Sequence, residues 1–120
     1  MPPVTIVQPT PALGGLDASL SVEGATTVVF LRGDADIATL PIVVEALACA
    51  IADHNGDVIV DLAETEFIDT AGLRAILRAK GVLAGGERRL TLRSPSPIDT
   101  LFLEVLGLGH LVTPAQETAA

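Results

Sequence analysis

A chain of 120 residues has room for one domain, and with 49% apolar residues it can fill a core. Only Phe30, Phe67 and Phe102 are aromatic and the formal net charge is −8, so neither base stacking nor phosphate-backbone binding is expected, and nucleic acid is not an expected partner. There is no basic-then-apolar leader, no apolar run approaches the roughly 20 residues that span a bilayer, and the lone Cys49 reads as a small core hydrophobe rather than a redox sensor. A cytoplasmic protein without membrane insertion is the default expectation.

Residues 1–17 carry Pro2, Pro3, Pro9, Pro11 and the pair Gly14-Gly15, and read as a flexible lead-in. The small, polar residues 114–120 read as a flexible tail, which leaves 18–113 for the domain. Residues 19–23 alternate with period 2 and are followed by Gly24 and Ala25, then by the β-branched run 26–31, which together predict a hairpin. Residues 33–36 form an acidic loop. A helix is expected over 40–53, with Pro41 in its first turn, Thr39 as its N-cap and residues 54–57 closing it.

The run 57–62 has the composition of a central strand covered by helices. A second helix is expected over 70–83 and stops at Gly85-Gly86; its apolar stripe is read as Leu73, Ile76, Leu77 and Val82. Residues 89–93 alternate as a strand. Residues 94–96 open a third helix through Ile98, Leu101, Phe102 and Val105, and residues 108–112 read as a last short strand or its approach.

The order β-β-α-β-α-β-α-β predicts a single α/β domain with a mixed sheet of four or five strands and helices mostly on one face. The expected core is Val28, Phe30, Ile59, Val60, Leu62, Leu73, Ile76, Leu77, Leu101, Phe102 and Val105.

Chemistry-bearing residues gather at predicted strand ends. Asp34 and Asp36 come after the second strand, and Asp69 after Phe67 and Ile68. If those strands are parallel neighbours, their carboxyl ends bring the two loops to one edge, where open α/β sheets place functional groups. Thr70 precedes a helix, so local pattern alone leaves it either as a cap, worth about 1 kcal/mol, or as a reactive hydroxyl. Gly72 in the first turn costs about 1 kcal/mol against Ala, which points to a close approach by backbone or partner.

The segment Phe67-Ile68-Asp69-Thr70-Ala71-Gly72-Leu73 resembles the D-S/T-x-G-L segment of STAS domains, among them the anti-sigma factor antagonists. Gly33-Asp34-Ala35-Asp36-Ile37-Ala38-Thr39 is similar to the G-E-x-D-x-x-T loop of that family, and Leu106-Gly107-Leu108 to its L-x-G-L ending. Asp34 stands where Glu is usual, Thr70 where Ser is common, and Ala71 replaces a frequent hydroxyl residue. The resemblance implies an anti-sigma factor antagonist, not an enzyme, with Thr70 as the acceptor phosphorylated by a kinase-type anti-sigma factor. It implies that Asp36 and Asp69 flank that acceptor. The docking edge expected from it comprises Asp34, Asp36, Thr39, Asp69, Ala71, Gly72 and Arg74.

Rival readings fare worse. A response-regulator receiver needs a Lys at a late strand end, whereas the sole Lys80 is mid-helix. Neither His54 nor His110 has a companion for metal binding or nucleophilic catalysis, and no metal or other cofactor is expected. There is no G-x-x-x-x-G-K-S/T loop, so any ATP comes with the partner. The remaining alternative is an unphosphorylated STAS module, a structural or adaptor subunit of a signalling assembly or lipid-transport complex.

Overall fold

The computed structural model describes residues 15–53 and 55–112, together with the backbone of 5–7. Its five strands lie side by side in chain order: β1 (Thr5–Val7), β2 (Leu16–Glu23), β3 (Thr26–Ala35), β4 (Val58–Ile68) and β5 (Leu90–Arg93). The pairs β1–β2 and β2–β3 are antiparallel, whereas β3–β4 and β4–β5 are parallel. Helices α1 (Leu40–Asp53) and α2 (Thr70–Ala84) make the two parallel crossovers, and α3 (Pro97–Val105) comes after β5. The single α/β domain with a mixed sheet is as expected.

The β2–β3 hairpin turns over two residues, with Glu23 paired to Thr26 and Gly24 at φ +66, a left-handed conformation that suits glycine. Both crossovers step the same way along the sheet, so right-handed connections place α1 and α2 on one face. There α1 packs on β2 and β3, α2 on β4 and β5, and the two helices on each other. Alternate strand residues supply the floor of this core: Leu16, Ala18 and Leu20, then Val29 and Leu31, then Val58, Val60 and Leu62, then Leu90 and Leu92. On the opposite face the register aligns Phe30, Asp61 and Arg93 in one row. The Arg93 guanidinium bonds Asp61 at 2.8 Å and lies 5.8 Å from the Phe30 ring centroid.

Several expectations need correction. Strands β3 and β4 run on past residues 31 and 62, because each gives the other a parallel partner as far as Ala35 opposite Ile68. Two register shifts absorb the irregular stretch, and the buried Thr65 hydroxyl bonds the Leu31 carbonyl at 2.9 Å. Residues 108–112 are not a strand. Leu111 N–H closes a 3-10 turn (Gly109–Leu111) on Leu108, and Val112 keeps only an isolated parallel bridge to Leu92 in the four-residue β5.

The face of α3 is also different. Being nine residues long, it buries Asp99 and Leu103 one turn apart, while Leu101 and Val105 are 59% and 75% exposed. In α2 the buried stripe is Leu73, Ile76, Ala79 and Leu83, with Val82 outward. Phe30, Ile59, Leu77 and Phe102 are only partly buried, whereas Val28, Val60, Leu62, Leu73 and Ile76 are buried as expected. The strand Thr5–Val7 falls within the expected lead-in. The prolines of that lead-in, His54 and the tail 114–120 lie outside the described residues.

Candidate functional site

The strands β3 and β4 end together, and a few hydrogen bonds set the course of the chain beyond each. Asp69 N–H donates to the Ala35 carbonyl at 3.1 Å, so the chain leaving β4 is still tied to the end of β3. One residue beyond Ala35 begins the loop of Asp36, and one residue beyond Asp69 begins α2. The parallel pairing therefore brings the two acidic loops to one edge of the sheet.

The first loop is closed by a reciprocal exchange. Thr39 Oγ1 accepts from Asp36 N–H at 3.0 Å and donates to the Asp34 carbonyl at 2.7 Å, while Asp36 Oδ1 accepts from Thr39 N–H at 3.1 Å. Thr39 is fully buried as a result. Its carbonyl accepts from Ile42 and Val43 at the start of α1, but its hydroxyl turns back to lock the loop instead of capping the helix. Asp34 and Asp36 are half-buried, and the neighbouring Ile37 and Ala38 are exposed.

The second loop carries the helix start. Asp69 is the N-cap of α2, its Oδ1 accepting from Gly72 N–H at 3.0 Å and its carbonyl from Leu73 N–H at 3.0 Å. Of the two readings of Thr70, the cap falls to its neighbour. Thr70 is the first residue of the helix, exposed, and among the described residues nothing bonds its hydroxyl. Ala71 is half-buried and Arg74, one turn on, is exposed. Gly72 is buried and faces inward, so the close approach signalled by its helix cost lies within the fold, against Ala35.

Beside Thr70 lies a cavity of about 280 Å³ between the start of α2 and the first turn of α3. Phe67, Ile68, Asp69, Thr70, Ile98, Asp99 and Phe102 line it. Asp99 sits three residues beyond the N-cap of α3, where Ser96 Oγ accepts from Asp99 N–H at 3.0 Å. Burial pushes the Asp99 carboxyl above its ordinary value, and hydrogen bonds to the Ser96 side chain and the Ile68 backbone pull it partly back. A second, larger groove of about 410 Å³ runs between α1 and α2, with Ile37, Val44 and Ala71 among its apolar lining and Arg74 and Arg78 at its side.

The sequence pattern placed Asp36 and Thr70 just beyond the ends of the two paired strands; it missed the Asp99 cavity. The S-x-x-D spacing at 96–99 before an apolar run was the available signal for a helix start with its acid turned inward. Among the described residues no group of three or more His, Cys, Asp and Glu is placed to hold a metal, and no helix is long and apolar enough to cross a membrane.

The family described as Mlab, STAS domain matches residues 18–113. The anti-sigma factor antagonist SpoIIAA in its unphosphorylated form is similar in structure, with a TM-score of 0.71 at 22% identity over 85% of this chain and 92% of that one. An anti-sigma factor antagonist from Mycobacterium paratuberculosis is similar at TM-score 0.76 and 21% identity, over 87% and 90%. The phosphorylated form of the Bacillus cell fate determinant SpoIIAA gives 0.66 at 22%, over 85% and 96%. No curated protein matches in sequence.

Proposed function

As this chain belongs to the STAS domain family, we propose that it is an anti-sigma factor antagonist, docking a kinase-type anti-sigma factor in the cytoplasm and released from it by phosphorylation at Thr70. One observation carries the reading: an exposed hydroxyl, free of hydrogen bonds among the described residues, stands at a helix start whose cap is supplied by the preceding Asp69. The similarity of the fold to anti-sigma factor antagonists supports the same reading. The chain contributes the acceptor and the docking edge, whose exposed members include Ile37, Ala38, Thr70 and Arg74, with Thr39 and Gly72 buried beneath them, while the partner brings ATP and the phosphoryl-transfer machinery.

The switch rests on charge. A phosphate on Thr70 adds about −1.5 to −2 at neutral pH, next to Asp69 and across from Asp36. The edge then repels any acidic surface facing it. The first-turn N–H groups of α2 favour an anion at that place, so the fold tolerates the modification while the interface does not. Incubation with purified kinase-type anti-sigma factors and ATP, then mass spectrometry, tests the assignment. Phosphate on Thr70 supports it, and labelling of Thr70→Ala to the wild-type extent refutes it.

A second reading, an unphosphorylated adaptor module, draws on the exposed apolar residues of α3. Ile98, Leu101 and Val105 are the kind of surface a permanent partner covers. Stable co-purification with such a partner, unchanged in Thr70→Glu, favours this second reading.

A further inference from the structure

The cavity beside Thr70 holds a feature that capping does not account for. Asp99 is 2% exposed, yet among the described residues its Oδ2 has no hydrogen-bond partner. A buried carboxylate oxygen left unpaired is unfavourable, and such groups in native folds call for an explanation. Asp69 lines the same cavity, its Oδ1 held by Gly72 N–H, and no basic residue is among the lining. The ion pairs Arg32–Glu64, Arg93–Asp61 and Arg93–Glu23 all lie elsewhere.

We propose that this cavity receives one arginine side chain of a partner protein, its guanidinium reaching Asp99 Oδ2 between the rings of Phe67 and Phe102. Charge complementarity selects a cation: Asp69 and Asp99 line the space and no basic residue does. An apolar side chain would seal Oδ2 away still unpaired. A metal ion would find only two carboxylates and no third ligand among the described residues. Arginine suits the walls better than lysine, because its planar, weakly hydrated guanidinium stacks on aromatic faces and offers several donors at once. Phe67 is 48% exposed and Ile98 72% exposed, so the mouth is open to a partner. Thr70 forms part of the wall, and a phosphoryl group there would stand in the path of the incoming side chain.

This site deepens the docking role proposed above and rests on it for the protein nature of the partner. It is tested without that partner. The amide resonances of the full chain are followed by NMR during titration with arginine amide, with norleucine amide as an apolar control. Saturable shifts centred on Phe67, Thr70, Ile98 and Asp99, absent with norleucine amide, are expected. Asp99→Asn should weaken arginine binding about tenfold or more, as loss of a charge-assisted bond requires. Phe67→Ala, at an exposed position that does not threaten folding, should weaken it several-fold. No saturable shift at these residues, an equal response to norleucine amide, or unweakened binding in Phe67→Ala overturns the proposal. An arginine site in a protein that binds no anti-sigma factor would leave this inference standing and remove the functional reading; the reverse pair of results would do the opposite.

Discussion

A Cβ built on Gly72 would stand 2.8 Å from the carbonyl oxygen of Ala35. That oxygen also accepts the Asp69 N–H, so the first turn of α2 is seated directly on the end of β3. The seating fixes where Thr70 stands relative to the Asp36 loop.

Gly72→Val is therefore expected to destabilise the fold by about 1–3 kcal/mol, the range of overpacking a tight contact. The better helix propensity of valine over glycine offsets only a few tenths of that. Urea denaturation of variant and wild type measures the difference. A variant as stable as the wild type would show that α2 and β3 meet less tightly than this.

The outward face of α3 gives a paired test. Leu103 is 1% exposed, and Leu103→Ala should cost about 2–5 kcal/mol. Leu101→Ala, on the exposed side, should stay within about 0.5 kcal/mol. Similar losses for both would place the helix the other way round.

Capping separates the roles of two adjacent residues. Asp69→Ala removes the acceptor of Gly72 N–H and should cost about 1 kcal/mol, whereas Asp69→Asn should lose far less. Thr70→Ala should leave stability nearly untouched. A loss at Thr70 equal to that at Asp69 would return the cap to the threonine.

The acid in the cavity sets a pH dependence. Burial raises the folded-state pKa of Asp99 above its ordinary 3.8, to which it returns on unfolding. Between those two values the folded protein holds the proton more tightly, so stability falls as pH rises through that window and the deficit is complete above the folded-state pKa. Asp99→Asn abolishes this titration. Its stability relative to wild type should rise from about pH 3 to about pH 7, as monitored by thermal melts. A pH-independent difference would mean that burial does not shift the group.

Much of the fold was legible in the chain because periodicity reports burial. The hairpin, the parallel strand pair and the helices α1 and α2 each bury a continuous stripe or alternate face, and such faces write themselves into the sequence. The short elements were less legible. In α3 nearly every position but Asp99, Thr100 and Glu104 is apolar, so composition does not say which side packs; the single inward turn was chosen by Leu103 and a charged residue. The run at 108–112 looked like a strand, but Gly107 at φ +75 and a four-residue β5 leave it little to pair with. At the site, the Asp-Thr-Ala-Gly order placed Thr70 at a helix start. Whether Thr39 capped a helix or locked a loop depended on the carbonyl of Asp34, which no local pattern encodes.

The proposed switch predicts that phosphorylation at one hydroxyl changes docking and little else. The most direct measurement is the affinity of a purified kinase-type anti-sigma factor for the unmodified chain and for the chain phosphorylated at Thr70, with the site confirmed by mass spectrometry. At least a tenfold weakening is expected, about 1.4 kcal/mol, with unchanged thermal stability of the domain itself. Equal affinity of the two forms, or phosphate found only on other residues of a chain that is released, would contradict the account.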